Sequence, residues 1–137
     1  MNNLKVDATV KNWGRVYKFL NDRLMNIDAK KKIAGQILIA SEEIFVNISH
    51  YAYKPPSKGK VEINFGFEKP SAIVRIGFVD SGTFFDPTKF KPAPASGSAG
   101  KRSIGGLGLF MVKKIMDEMI YEHKNSQNNL IITKKID

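Results

Sequence analysis

Glu43 and Asn47 stand one helical turn apart in "SEEIFVNISHYAY" (41–53), beside a stripe of apolar residues. At i and i+4 their side chains share one face of a helix. At about 100° per residue that face flanks the Ile37–Ile44–Ile48 stripe, neither central to it nor opposite. A helix that lines the wall of a cleft carries its polar residues there. A carboxylate so placed orients water or takes a hydroxyl proton, and a carboxamide oxygen is a hard ligand suited to Mg²⁺. The plainer alternative is a surface Glu beside an Asn bonded to its own helix.

Two further stretches carry chemistry. "DSGTFFDP" (80–87) directly follows a strand pattern. Asp80 there can accept a hydrogen bond from an amine, and Gly82 lets a ligand approach the backbone. An ordinary strand-end turn is the alternative. "SIGGLGLF" (103–110) puts three glycines at a helix start, with Lys101 and Arg102 just before it. Free N–H groups and the helix dipole bind phosphate at such a terminus, and glycine removes obstructing side chains. A glycine-rich loop closing on a helix is again the alternative. Two common phosphate motifs are excluded. "ASGSAGKR" has Ala95 and Arg102 where a P-loop needs Gly and Ser/Thr. The dinucleotide fingerprint needs a preceding strand and a third glycine, whereas a loop precedes and Met111 stands in that place.

The elements that must position these residues follow from periodicity. "LKVDATV" (4–10) alternates as a half-buried strand. Asn12 is placed to cap a helix carrying Trp13, Val16, Phe19, Leu20 and Leu24, and Asp28 to cap the next, whose stripe runs from Ile33 to Tyr51. "VEINFGF" (61–67) and "AIVRIGFVD" (72–80) are strands joined by "EKPS". The stretch from Pro87 to Ser103 has neither period and is expected to be a long loop, either a functional lid or disordered. A helix over 105–119 and a closing hairpin, "MIYEH" and "NLIITKKI" around "KNSQNN", complete the chain. The order predicts a single α/β domain over 1–137: a two-layer sandwich whose mixed, mostly antiparallel sheet is covered on one face by helices.

Composition narrows the classes. At 137 residues, 42% hydrophobic and 26% charged, the chain fits one domain with a real core. The start "MNNLKVDATV" is polar, and no apolar run reaches the roughly 18–20 residues needed to cross a bilayer, so a cytoplasmic protein is expected. With no cysteine, disulfides and thiolate metal sites are excluded. The net charge of +9 invites nucleic acid, an anionic membrane, an acidic protein or a polyphosphate ligand. The lysines are scattered without interleaved aromatics, which argues against specific nucleic-acid binding.

Taken together, the three segments resemble the Bergerat-type ATP-binding domain shared by gyrase, heat-shock chaperone ATPases, sensor histidine kinases and mismatch-repair ATPases. Within it, the chain is most similar to the bacterial anti-sigma factor serine/threonine kinases, over nearly its whole length. "SEEIFVNISHYAY" corresponds to the Glu-x-x-x-Asn box, "DSGTFFDP" to the Asp-x-Gly box and "GGLGLFMVKKIMDEM" to the Gly-x-Gly-Leu box. The resemblance implies ATP and Mg²⁺ as ligands, Glu43 as catalytic base and Asn47 as metal ligand. It implies a nucleotide-binding set of Asn47, Asp80, Gly82, Phe85, Lys101, Arg102, Gly105, Gly106, Leu107 and Gly108, with 87–103 as a lid over the nucleotide. Tyr51 replaces the histidine usual in the family, with His50 one step earlier, and Phe84 stands where many relatives have glycine or proline. The implied partner is an anti-sigma-antagonist protein, with sigma-factor sequestration and homodimer formation as further family traits. A catalytically silent ATP-binding regulator is the alternative.

Overall fold

Period-two alternation builds a five-stranded sheet. The computed structural model describes residues 2–54, 58–87 and 106–137. Its strands are β1 (Asn3–Asp7), β2 (Lys60–Glu68), β3 (Ile73–Asp80), β4 (Glu118–Lys124) and β5 (Gln127–Lys135). They lie in the order β1-β2-β3-β5-β4, and every pairing is antiparallel. The expected two-layer sandwich is present, with a sheet that is antiparallel throughout rather than mixed.

Successive strand residues point to opposite faces. The rows Val61–Ile63–Phe65, Val74–Ile76–Phe78 and Leu130–Ile132 are therefore buried together. Helices α1 (Trp13–Asn26), α2 (Lys31–Tyr51) and α3 (Gly106–Ile115) supply the other half of that core. Val16, Leu20 and Leu24 come from α1, Ile37, Ile44 and Phe45 from α2, and Val112 from α3. Each such side chain contributes about 1.5–3 kcal/mol on burial. At their far ends the two central rows stop being apolar. Asp80 continues the buried row of β3, Asn128 that of β5, and the two are cross-strand partners.

Local signals were realised differently at five places. Asn12 precedes α1 but makes no side-chain cap; its amide donates to Asp7 O at 2.9 Å and to Thr9 Oγ1 at 3.3 Å. Asp28 does not cap α2. It takes φ 57° after α1, where the N–H groups of Asp28 and Ala29 close on Met25 O and Leu24 O at 3.0 and 3.1 Å. That pair of bonds is a Schellman ending, with Asp in the left-handed position. The first strand ends at Asp7, where Thr9 N–H turns back onto Asp7 O at 2.8 Å and the chain enters a short 3-10 helix, Val10–Asn12.

At the other end, α3 stops at Ile115 rather than at residue 119. Asp117 N–H already pairs with Thr133 O at 2.9 Å, and Lys134 Nζ donates to Ile115 O, closing the helix against β5. The hairpin is also tighter than "KNSQNN" suggests. Asn125 and Ser126 both have positive φ, 55° and 61°, so a two-residue turn carries the whole reversal. Asn128 thereby enters the sheet. The expected lid, 87–103, lies outside the described residues except for Pro87.

Candidate functional site

Where the buried rows turn polar, a cavity of about 330 Å³ opens between the sheet and α2. Its wall on α2 is Ile44, Asn47, Ile48 and Tyr51, spaced three and four residues apart as one helical face requires. The flank position inferred for Asn47 thus borders a cleft. Its Nδ2 donates to Glu43 O at 2.7 Å, so the Asn is bonded to its own helix as the plainer alternative expected, while its carboxamide oxygen stays available to a ligand. A single hard oxygen suits Mg²⁺, which keeps most of its shell for water and phosphate. Glu43 is half-buried and is not part of the cavity lining. Its carboxylate lies against α3, where a Cβ built on Gly108 would come within 2.0 Å of Oε2.

The floor of the cavity is Asp80, only 5% exposed. Oδ1 accepts from Gly82 N–H at 2.9 Å and from Asn128 Nδ2 at 3.0 Å. Among the described residues the second oxygen has no such partner. The turn that follows is stapled to both neighbours. Ser81 N–H donates to Tyr53 Oη at 2.8 Å, and Tyr53 in turn donates to Lys60 O at 2.8 Å. Thr83 N–H donates to Ala52 O at 2.6 Å, while Thr83 O accepts from Asn128 at 3.0 Å. Burial, and then the nearby Asp80 charge, holds the Tyr53 phenol above its usual range.

Gly82 has a different use from the one expected. A Cβ there would sit 2.2 Å from Ala52 O, so the glycine admits the end of α2 rather than a ligand, and it does not line the cavity. Phe85 does line it, as does Phe84, whose ring is 62% exposed. Phe84 meets Tyr121 and His123 edge-on, at centroid distances of 5.9 and 5.1 Å. On α3, Leu109 completes the cavity beside Gly108. Gly106 and Leu107 open that helix. Lys101, Arg102 and Gly105 lie outside the described residues.

Sequence reasoning missed Tyr53, Tyr121 and Asn128. Asn128 was hidden in the presumed turn, although its two-residue spacing from Leu130 and Ile132 marks it as core-facing. Tyr53 and Tyr121 carry no local signal of their hydrogen-bond roles.

A helix-covered antiparallel sheet with its cleft between α2, the end of β3 and the start of α3 defines the class. Residues 6–134 match the histidine kinase-like ATPase domain, and the chain belongs to that family. Among individual relatives, it is 32% identical to the serine-protein kinase RsbW of Bacillus velezensis over 101 residues, 70% of this chain and 61% of that protein. It is 34% identical to RsbW of Bacillus subtilis over 86 residues, 59% of this chain and 52% of that one. The serine/threonine-protein kinase BtrW of Bordetella bronchiseptica is 23% identical, over 71% and 67% of the two chains. The chain thus spans less than two thirds of the length of these RsbW proteins.

The crystal structure of the RsbU and RsbW domains of Rv1364c from Mycobacterium tuberculosis superposes with a TM-score of 0.66 at 18% identity. It covers 99% of this chain and 33% of that one. The blue-light activated histidine kinase EL346 of Erythrobacter litoralis gives 0.58 at 14% identity, over 80% and 32%. At these identities the likeness is one of fold. Among the described residues no helix is long and apolar enough to cross a membrane.

Proposed function

We propose that this domain binds ATP with Mg²⁺ in the cytoplasm and transfers the γ-phosphoryl group to a serine or threonine of an anti-sigma-antagonist protein. One observation supports it most directly. A single apolar cavity is bounded by Asn47 from α2, Asp80 from β3 and Leu109 from α3, one residue from each of the three motif segments. The free carboxylate oxygen of Asp80 accepts from the exocyclic amine of adenine, and apolar walls receive the ring. Asn47 Oδ1 would hold Mg²⁺, which when bound neutralises phosphate charge. Lys101, Arg102, Gly105 and the helix start from Gly106 to Gly108 would serve the phosphates. Glu43 takes the proton of the acceptor hydroxyl as its oxygen bonds to the γ-phosphorus and ADP leaves. The net charge of +9 suits an acidic acceptor surface, and sequestration of a sigma factor would use the same surface.

A second reading has its own observation. Glu43 lies against Gly108 rather than on the cavity wall, which favours a nucleotide-binding regulator that transfers nothing. Incubation with γ-labelled ATP·Mg²⁺ and a co-purified acidic partner separates the two. Label on a partner serine or threonine supports the kinase; ATP binding without label on any partner leaves the silent regulator.

A further inference from the structure

Asp80 accepts two hydrogen bonds on the same oxygen, and the donor of one of them is itself held in place. Asn128 is 7% exposed and is the cross-strand partner of Asp80. Its Nδ2 serves Asp80 Oδ1 and Thr83 O, each at 3.0 Å, while its Oδ1 accepts from the Tyr121 hydroxyl. A carboxamide can turn over and exchange its oxygen for its nitrogen. Here Thr83 O demands a donor on one side and Tyr121 supplies one on the other, so only one orientation satisfies both. The Phe85 backbone bonds the same phenol oxygen, and burial raises the phenol above its usual range, which keeps it protonated and donating.

We propose that Tyr121 and Asn128 are positioning residues for base selection. Tyr121 locks the Asn128 amide, the amide occupies Oδ1 of Asp80, and the carboxylate is left with only its second oxygen, a pure acceptor, for the ligand. The pocket then selects bases that present an exocyclic amine and rejects those that present a carbonyl there. This rests on the nucleotide-binding reading above and adds residues that the three sequence motifs do not contain.

The same chain of bonds explains why these polar groups tolerate burial. A buried Asp with an unsatisfied neighbour would be costly, whereas each shared hydrogen bond here has a donor and an acceptor of matching kind. It also couples the site to the hairpin: β4 supplies Tyr121, β5 supplies Asn128, and the two-residue turn at Asn125–Ser126 sets their relative register.

The test is calorimetric titration of the whole chain with ATP and with GTP, alongside thermal unfolding. The unmodified protein should prefer ATP. Tyr121→Phe removes one hydroxyl and keeps the ring, so it should fold. Its ATP affinity should drop about tenfold, the worth of one buried hydrogen bond, while the GTP affinity changes little. Asn128→Leu should reduce the preference further, and Tyr121→Phe added to it should have almost no additional effect, because the two act in one chain. If both nucleotides weaken equally in Tyr121→Phe, the pair only packs the site and the inference falls. An unchanged preference in Tyr121→Phe overturns it as well. Absence of any ATP binding by the unmodified protein removes the nucleotide reading itself, and this inference with it.

Discussion

The two ends of the cavity are built by different physics. At the Asp80 end, seven residues from the segment just after α2, from β3, β4 and β5, and from the turn after β3 are tied by directional bonds: Ala52, Tyr53, Asp80, Ser81, Thr83, Tyr121 and Asn128. At the Glu43 end, the described residues give the carboxylate no hydrogen bond, only a steric neighbour in Gly108. The first end is preorganised before any ligand arrives, as base recognition requires. The second holds its half-buried carboxylate by packing against Gly108 and not by hydrogen bonds among the described residues. That arrangement suits a group which must meet a second substrate, and which need not touch the first.

The sharpest way to break this comparison is Glu43→Gln. It keeps shape and hydrogen-bonding capacity but removes the charge. Transfer to a partner serine should fall by about 10²–10⁴-fold, with ATP affinity held within a few-fold. Equal transfer by the variant would show that Glu43 is not the base.

Adding one methyl at each end should give opposite readouts. Gly108→Ala meets only the flexible tip of Glu43, at 2.0 Å, so the fold should survive while transfer drops about a hundredfold through a displaced carboxylate. Gly82→Ala meets the Ala52 backbone at 2.2 and 2.5 Å, which cannot step aside. Overpacking of this kind costs about 1–3 kcal/mol or more, and thermal unfolding should come roughly 5–15 °C earlier. Similar Tm losses in both variants would erase the distinction between the two ends.

Asp80→Asn probes the prebuilt end from inside. Gly82 N–H and Asn128 Nδ2 both need an acceptor at Oδ1, so the new amide must place its oxygen there and turn its NH₂ to the cavity. ATP should weaken by about ten- to a hundredfold, with GTP gaining relative to it. Retained preference for ATP in calorimetry would refute the pairing. Asn47→Ala should have a smaller effect, removing most of the Mg²⁺ dependence of ATP binding and leaving the fold intact. A thermal shift with ATP·Mg²⁺ equal to that of the unmodified protein would remove Asn47 as the ligand.

The mildest change is Tyr53→Phe, which deletes the bonds to Ser81 and Lys60 at a cost of about 1–2 kcal/mol. The phenol is raised above its usual value, so the folded state holds its proton longer than the unfolded chain does. That contribution is fully present below a pH of about 10 and is lost as pH rises through the higher folded value. Stability curves of the two proteins should therefore converge in strong alkali. A constant gap would show that the bonds do not depend on the protonated phenol.

Much of this molecule was legible from its residue order alone. The 3.6-residue stripe of α2 located Asn47 on a cleft wall, and the patterns of β2 and β3 marked two strands with Asp80 at the end of the second. Local periodicity suffices for such features because each element must bury one continuous apolar row. What needed the tertiary structure lies where distant segments meet. Asp28 read as a cap and is a left-handed helix end, because the bonds available at Leu24 and Met25 decide its conformation. Gly82 read as room for a ligand and is room for Ala52, a residue thirty positions away in sequence. Asn128 read as part of a turn and is the buried partner of Asp80, since two left-handed residues shorten the hairpin and shift every following side chain onto its face. A sequence states which residues are polar and at what spacing. Which of them share a hydrogen bond is decided by register and helix docking, and no local pattern encodes either.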